Sequence, residues 1–148
     1  MFTASTFPVV FRHATLCACS VLDTEQLYHS AVLRAEVLVQ ISYMLGACGH
    51  SFVIGFGKSP PGRPHHRDSA LKMGQSGDWD AFKKNTGRNP NELTGALCGG
   101  PLEDGSWVDD REDYVGNEVA LDYNAALLIG TVQCLATGAL KPAPVAAE

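Results

Sequence analysis

From Glu118 to Ala136 the chain reads EVALDYNAALLIGTVQCLA, and this run sets the first limit on the fold. Val119, Leu121, Ala125, Leu128, Ile129, Val132 and Leu135 leave hardly any polar stripe. The spacing predicts a helix over 118–136 that is buried nearly all round. Gly116-Asn117 marks its start, with Asn117 as N-cap and Glu118 on the first turn. Just upstream, Asp109, Asp110, Glu112 and Asp113 alternate with Trp107 and Tyr114 on a loop. An acid at the lip of a buried helix, flanked by aromatics, suits the cleavage of sugars. One carboxyl must stay protonated near neutral pH to donate to a leaving oxygen, and aromatic faces hold sugar rings. The competing account is a solvated acidic loop whose glutamate merely complements the helix dipole.

The remaining helical spacing lies near the N-terminus. Phe11, Thr15, Ala18 and Leu22 predict a helix over 8–22. Asp23 and Gln26 have capping-box spacing, and a second helix is expected over 25–45, closed by Gly46. Its expected inner stripe is Tyr28, Ala31, Ala35, Leu38 and Ser42, and the two helices read as an αα-hairpin. From His50 to Ser106, glycine and proline break every period, leaving one long irregular stretch. Short helical turns are expected there around Trp79–Lys83 and Glu92–Leu97. The tail from 139 to 148 is Ala/Pro-rich and reads as disordered or as a linker.

The 148 residues are the size of one domain. A net charge of −5 argues against nucleic acid or an anionic membrane as the main partner. No run is long enough to span a membrane, and Phe7–Leu22 makes a poor signal peptide because Arg12-His13 interrupts it. Cys17, Cys19, Cys48, Cys98 and Cys134 show no metal-ligand spacing and read as small apolar fillers.

The segment Ser51–Arg67, SFVIGFGKSPPGRPHHR, gathers Arg63, His65, His66 and Arg67 on a rigid loop. Neutral His65 and cationic Arg67 both offer donors to sugar hydroxyls. A surface basic patch, or a metal site built from His65, His66 and the acidic loop, is the alternative.

Two stretches together resemble glycoside hydrolase family 9, the endo-β-1,4-glucanases or cellulases. Trp107, Asp109, Tyr114, Glu118, Ala120, Asn124 and Ala125 match one family signature without departure. Ser51–Arg67 is similar to the other, ending in Pro64-His65-x-Arg67 and departing mildly at Ile54 and Ser59. Asn89–Pro101 and Tyr43–Gly46 look like the connecting segments, so the resemblance covers about 40–135.

The resemblance implies an all-α fold: part of an (α/α)6 barrel, about its last third, with long irregular active-site loops. Residues 1–138 would be the C-terminal portion of the catalytic domain. It implies inverting hydrolysis of β-1,4-glucan, which needs an acid and a base roughly 6.5–9.5 Å apart. Glu118 falls on the general acid, and Asp109 on a signature position that either joins catalysis or orients the acid. His65 and Arg67 fall on substrate-contacting positions, and Tyr123 is expected to meet a sugar or fill the core. The family's base lies in an Asp-Ala-Gly-Asp-like motif, which does not occur here. A truncated or degenerate copy, inactive or weakly active alone, is therefore expected. A non-catalytic carbohydrate-binding remnant is the alternative. The family implies secretion, a polysaccharide partner and no cofactor. An open slice of barrel exposes apolar faces and favours self-association.

Overall fold

The computed structural model describes residues 31–72, 74, 82–83, 86–136 and 138–140. The helix expected over 8–22, the capping box at 23–26 and most of the tail lie outside these residues. Three helices are described: α1 (Ala31–Ser42), which runs on into a π-helical turn at Tyr43–Ala47, the single turn α2 (Arg67–Ala70), and α3 (Leu121–Ala136). Among the described residues there is no strand, only three isolated bridges between loops.

The helical run of α1 and its π-helical turn is broken at Gly46, where the sequence places its end. Gly46 has a φ of +119°, which a side chain rarely adopts. The chain then doubles back, with Phe52 N–H donating to Met44 C=O at 2.9 Å. The buried stripe differs from the expected one: Val37, Ile41 and Met44 face inward, whereas Ala35 and Val39 are exposed. The segment AVLRAEVLVQIS is apolar on several sides. Its spacing allows more than one inner face, and packing against α3 selects one.

α3 corrects the sequence reading in two ways. It starts at Leu121, not Glu118, and Asn117 is not its N-cap. Residues 118 and 119 are extended instead, Glu118 bridging to His65 in parallel and Val119 to Cys98 in antiparallel. Those cross-loop hydrogen bonds are incompatible with a first helical turn. The helix is also not buried all round. Ala126, Gly130 and Cys134, spaced by four, are buried, while Leu121 is 91% exposed and Leu128 and Val132 are 64% and 54% exposed. Among the described helices, α1 packs on it.

The core joins both helices to the loops: Val37, Ile41 and Met44 meet Phe52, Val53, Leu97, Ala126 and Cys134. The helical turn expected at Glu92–Leu97 does not form. Gly95 takes a φ of +88° and donates to Ile54 C=O at 2.8 Å, and Leu97 bridges to Val53. Phe82 and Lys83 have helical backbone, while 79–81 lie outside the described residues. No described helix is long and apolar enough to cross a membrane.

Candidate active site

The site is assembled from loops lying edge to edge. Cys98 N–H donates to Phe52 C=O at 3.0 Å, and Gly99 N–H to Glu118 C=O at 2.9 Å. His65 N–H donates to Asn117 C=O at 2.8 Å. The backbone of 117–118 is thus fastened on both sides. Gly99 makes this close approach possible: a Cβ there would lie 2.0 Å from the Val115 carbonyl oxygen. Asn117 is fully buried between these pieces, and its side-chain amide donates to Val108 C=O at 2.7 Å.

Asp109 ties the acidic loop to the proline-rich one. Its two oxygens accept from Gly62 N–H and Arg63 N–H, both at 2.9 Å. The neighbouring carboxylates are also engaged. Asp113 accepts from Val115 and Gly116 N–H at 3.0 Å, Asp110 from Glu112 N–H at 3.1 Å, and Glu112 lies 3.5 Å from Lys83. Of the four acids that look solvated in the sequence, Asp110 and Asp113 cap the backbone of their own loop.

His65 sits between the two signatures. Its Nδ1 lies 2.6 Å from the Arg111 carbonyl, and its ring meets Phe82 at 5.3 Å and Tyr114 at 6.4 Å, both edge-on. Arg67 opens α2 and is exposed. His66 is the N-cap of α2, its Nδ1 accepting from Ser69 N–H at 3.2 Å. Among the described residues no group of three or more His, Cys, Asp and Glu side chains is arranged to hold a metal ion.

Tyr123, on the first turn of α3, lies near enough to Glu118 to feel its carboxylate charge. Burial, then the charges of Glu118 and Asp122, raise its pKa above the ordinary 10.0, so the phenol stays protonated. The two signature aromatics divide. Trp107 donates to Gly116 C=O at 3.1 Å, stacks on His50 and packs on the core, whereas Tyr114 is 68% exposed beside His65.

His65, Glu118, Asp109 and Tyr123 therefore belong to one connected region although more than fifty residues separate the first two. The Asn89–Arg111 pair escaped sequence reasoning. Arg111 is only 3% exposed, with Nε donating to Asn89 Oδ1 at 2.8 Å and Nη2 to Gly87 C=O at 2.8 Å. Burial, and then the like charge of Arg63, lower its pKa from the ordinary arginine value.

Solved structures share this arrangement of helices and loops. An endoglucanase from the termite Nasutitermes takasagoensis superposes with a TM-score of 0.67 at 38% identity, over 85% of this chain and 28% of its own. Endoglucanase CelQ from Clostridium thermocellum, complexed with cellobiose and cellotriose, superposes at 0.55 with 40% identity, over 74% and 18%. The fold is thus that of a stretch of an endoglucanase. Residues 5–130 match the model of Glycosyl hydrolase family 9, and the chain belongs to that family. The match reaches well upstream of the motifs. Among curated relatives, Endoglucanase 4 of Bacillus sp. (strain KSM-522) is 44% identical over 89 residues, which is 59% of this chain and 13% of that protein. Endoglucanase 10 of Arabidopsis thaliana is 38% identical over 117 residues, 76% of this chain and 22% of that protein. The chain spans less than a quarter of either relative.

Proposed function

We propose that this chain supplies the acid side of a cleft that hydrolyses β-1,4-glucosidic bonds in cellulose or a related β-glucan, within a partial (α/α)6 barrel. Glu118 is the general acid of an inverting mechanism, and His65 and Arg67 hold hydroxyls of the sugar beside the scissile bond. Asp109 is a positioning group, because both its oxygens are spent on the backbone of the loop leading to His65. Tyr123, held protonated beside Glu118, is the group that would donate to its carboxyl. The observation that carries this reading is the fastening of the 117–118 backbone beside His65, with Asn117 C=O accepting from His65 N–H and Glu118 C=O from Gly99 N–H. The substrate class agrees with the cello-oligosaccharides bound in the CelQ structures. An insoluble polymer cannot enter a cell, so the site of action is extracellular.

One observation favours the non-catalytic reading for this chain by itself. Asp109, Asp110 and Asp113 all cap backbone N–H groups, which leaves no evident base partnering Glu118 in the acidic loop. Cellotriose titration followed by NMR separates the readings from failure. Shifts centred on His65, Tyr114, Glu118 and Tyr123, weakened in Arg67→Ala, are expected. Binding elsewhere, or none, would refute the site.

A further inference from the structure

We propose that Arg111, braced by Asn89, is the positioning residue that fixes the tautomer and ring direction of His65. The functional consequence rests on the reading of His65 as a sugar contact. Arg111 acts through both of its ends. Its carbonyl lies 2.6 Å from His65 Nδ1. A carbonyl oxygen only accepts, so Nδ1 carries the proton and the neutral ring has Nε2 as its acceptor. This reverses the donor role expected of a neutral His65: toward a sugar hydroxyl, Nε2 accepts.

The other end keeps that carbonyl in place. The guanidinium is buried, donates to Asn89 Oδ1 through Nε and Nη2 and to Gly87 C=O, and lies 5.8 Å over the Phe82 ring. Phe82 also touches His65. Asn89 Nδ2 in turn donates to Pro64 C=O at 3.0 Å and to Ser69 Oγ at 2.9 Å. One amide therefore grips the residue before His65 and the side chain whose carbonyl receives the His65 proton. A buried cation is costly unless its donors are satisfied. Here the donors go to Gly87 and Asn89 on the connecting segment, and Asn89 in turn reaches Pro64, so the pair links the two signature loops through a third, which is the arrangement a positioning role requires.

The test is nitrogen-15 NMR of histidine-labelled full-length chain, with His65 assigned through His65→Gln and read at a pH where its ring is neutral. The wild type is expected to show the Nδ1–H pattern. Asn89→Asp keeps an acceptor for Arg111 but places an oxygen against Pro64 C=O. Arg111→Lys keeps the charge but loses the two-pronged contact. Both are expected to lose the Nδ1–H pattern toward the mixture of a free imidazole while the amide spectrum stays dispersed. An Nε2–H ring in the wild type, or the wild-type pattern in either folded variant, would overturn the proposal. Unfolding of both variants would also overturn it, by assigning the pair to general stability. None of these readouts needs a sugar. A held tautomer in a chain that binds no cellotriose refutes the functional reading alone, and binding without a held tautomer refutes this inference alone.

Discussion

At the scale of single residues, the Glu118–Tyr123 contact has a titration signature. Tyr123 has a folded pKa raised above its unfolded value, so the stability it contributes is fully present below about pH 10 and is lost as pH rises through the folded pKa. In a tyrosinate absorbance titration, the difference between wild type and Tyr123→Phe should isolate a transition above the ordinary tyrosine range. Glu118→Gln should move that transition part of the way back. The remainder persists because burial, the largest cause, is untouched. A Tyr123 transition indifferent to Glu118→Gln would remove the contact from the site. Gly99 makes a second prediction at this scale. Its missing side chain faces a backbone carbonyl rather than a movable side chain. Gly99→Ala should therefore destabilise the fold by about 1–3 kcal/mol, the usual range for overpacking. Denaturant midpoints measure it, and an unchanged midpoint would mean the loops adjust freely.

At the scale of elements, α3 has two faces with different expected sensitivities. Ala126 and Cys134 meet the core and Gly130 is buried between them, while Leu121, Leu128 and Val132 meet solvent. Gly130→Leu should cost about 1–3 kcal/mol through overpacking, whereas Leu128→Glu with Val132→Lys should change stability by only about 0.5 kcal/mol. The double variant should also sediment as a smaller species at high concentration if that face drives self-association. Equal sedimentation of wild type and variant would rule the face out. The two errors in reading α3 share a physical origin. Periodicity reports that Val119 and Leu121 are apolar, not that the backbone of 117–119 is claimed by His65, Cys98 and Gly99 from distant loops. Nor does it report what covers each face, which depends on neighbours. What did transfer was local: Gly46 breaks the helical run that follows α1 because few other residues tolerate its φ. The Asn89–Arg111 clamp left no local pattern, because its partners are about twenty residues apart in an irregular stretch.

At the scale of the whole molecule, the chain by itself should hydrolyse cellulose weakly or not at all. Inversion needs a base that activates water on the sugar face opposite the acid, and each acid–base group is worth about 10²–10⁴-fold. The acidic loop offers four carboxylates, but Asp109 is held by Gly62 and Arg63, Asp113 by Val115 and Gly116, Asp110 by Glu112 N–H, and Glu112 by Lys83. Recruiting any of them would cost the hydrogen bonds that shape the site, with Asp109 the most expensive because its loop leads to His65. Assays on carboxymethyl-cellulose should include wild type, Glu118→Gln and Asp109→Asn. At most a trace rate, lowered further in Glu118→Gln, is the expected result. Asp109→Asn should disturb cellotriose binding, since an amide cannot accept with both atoms from Gly62 and Arg63. Robust hydrolysis by the wild type, abolished in Glu118→Gln, would show that a base is present after all. If Asp109→Asn abolished that hydrolysis while leaving binding intact, Asp109 would be the base rather than a brace.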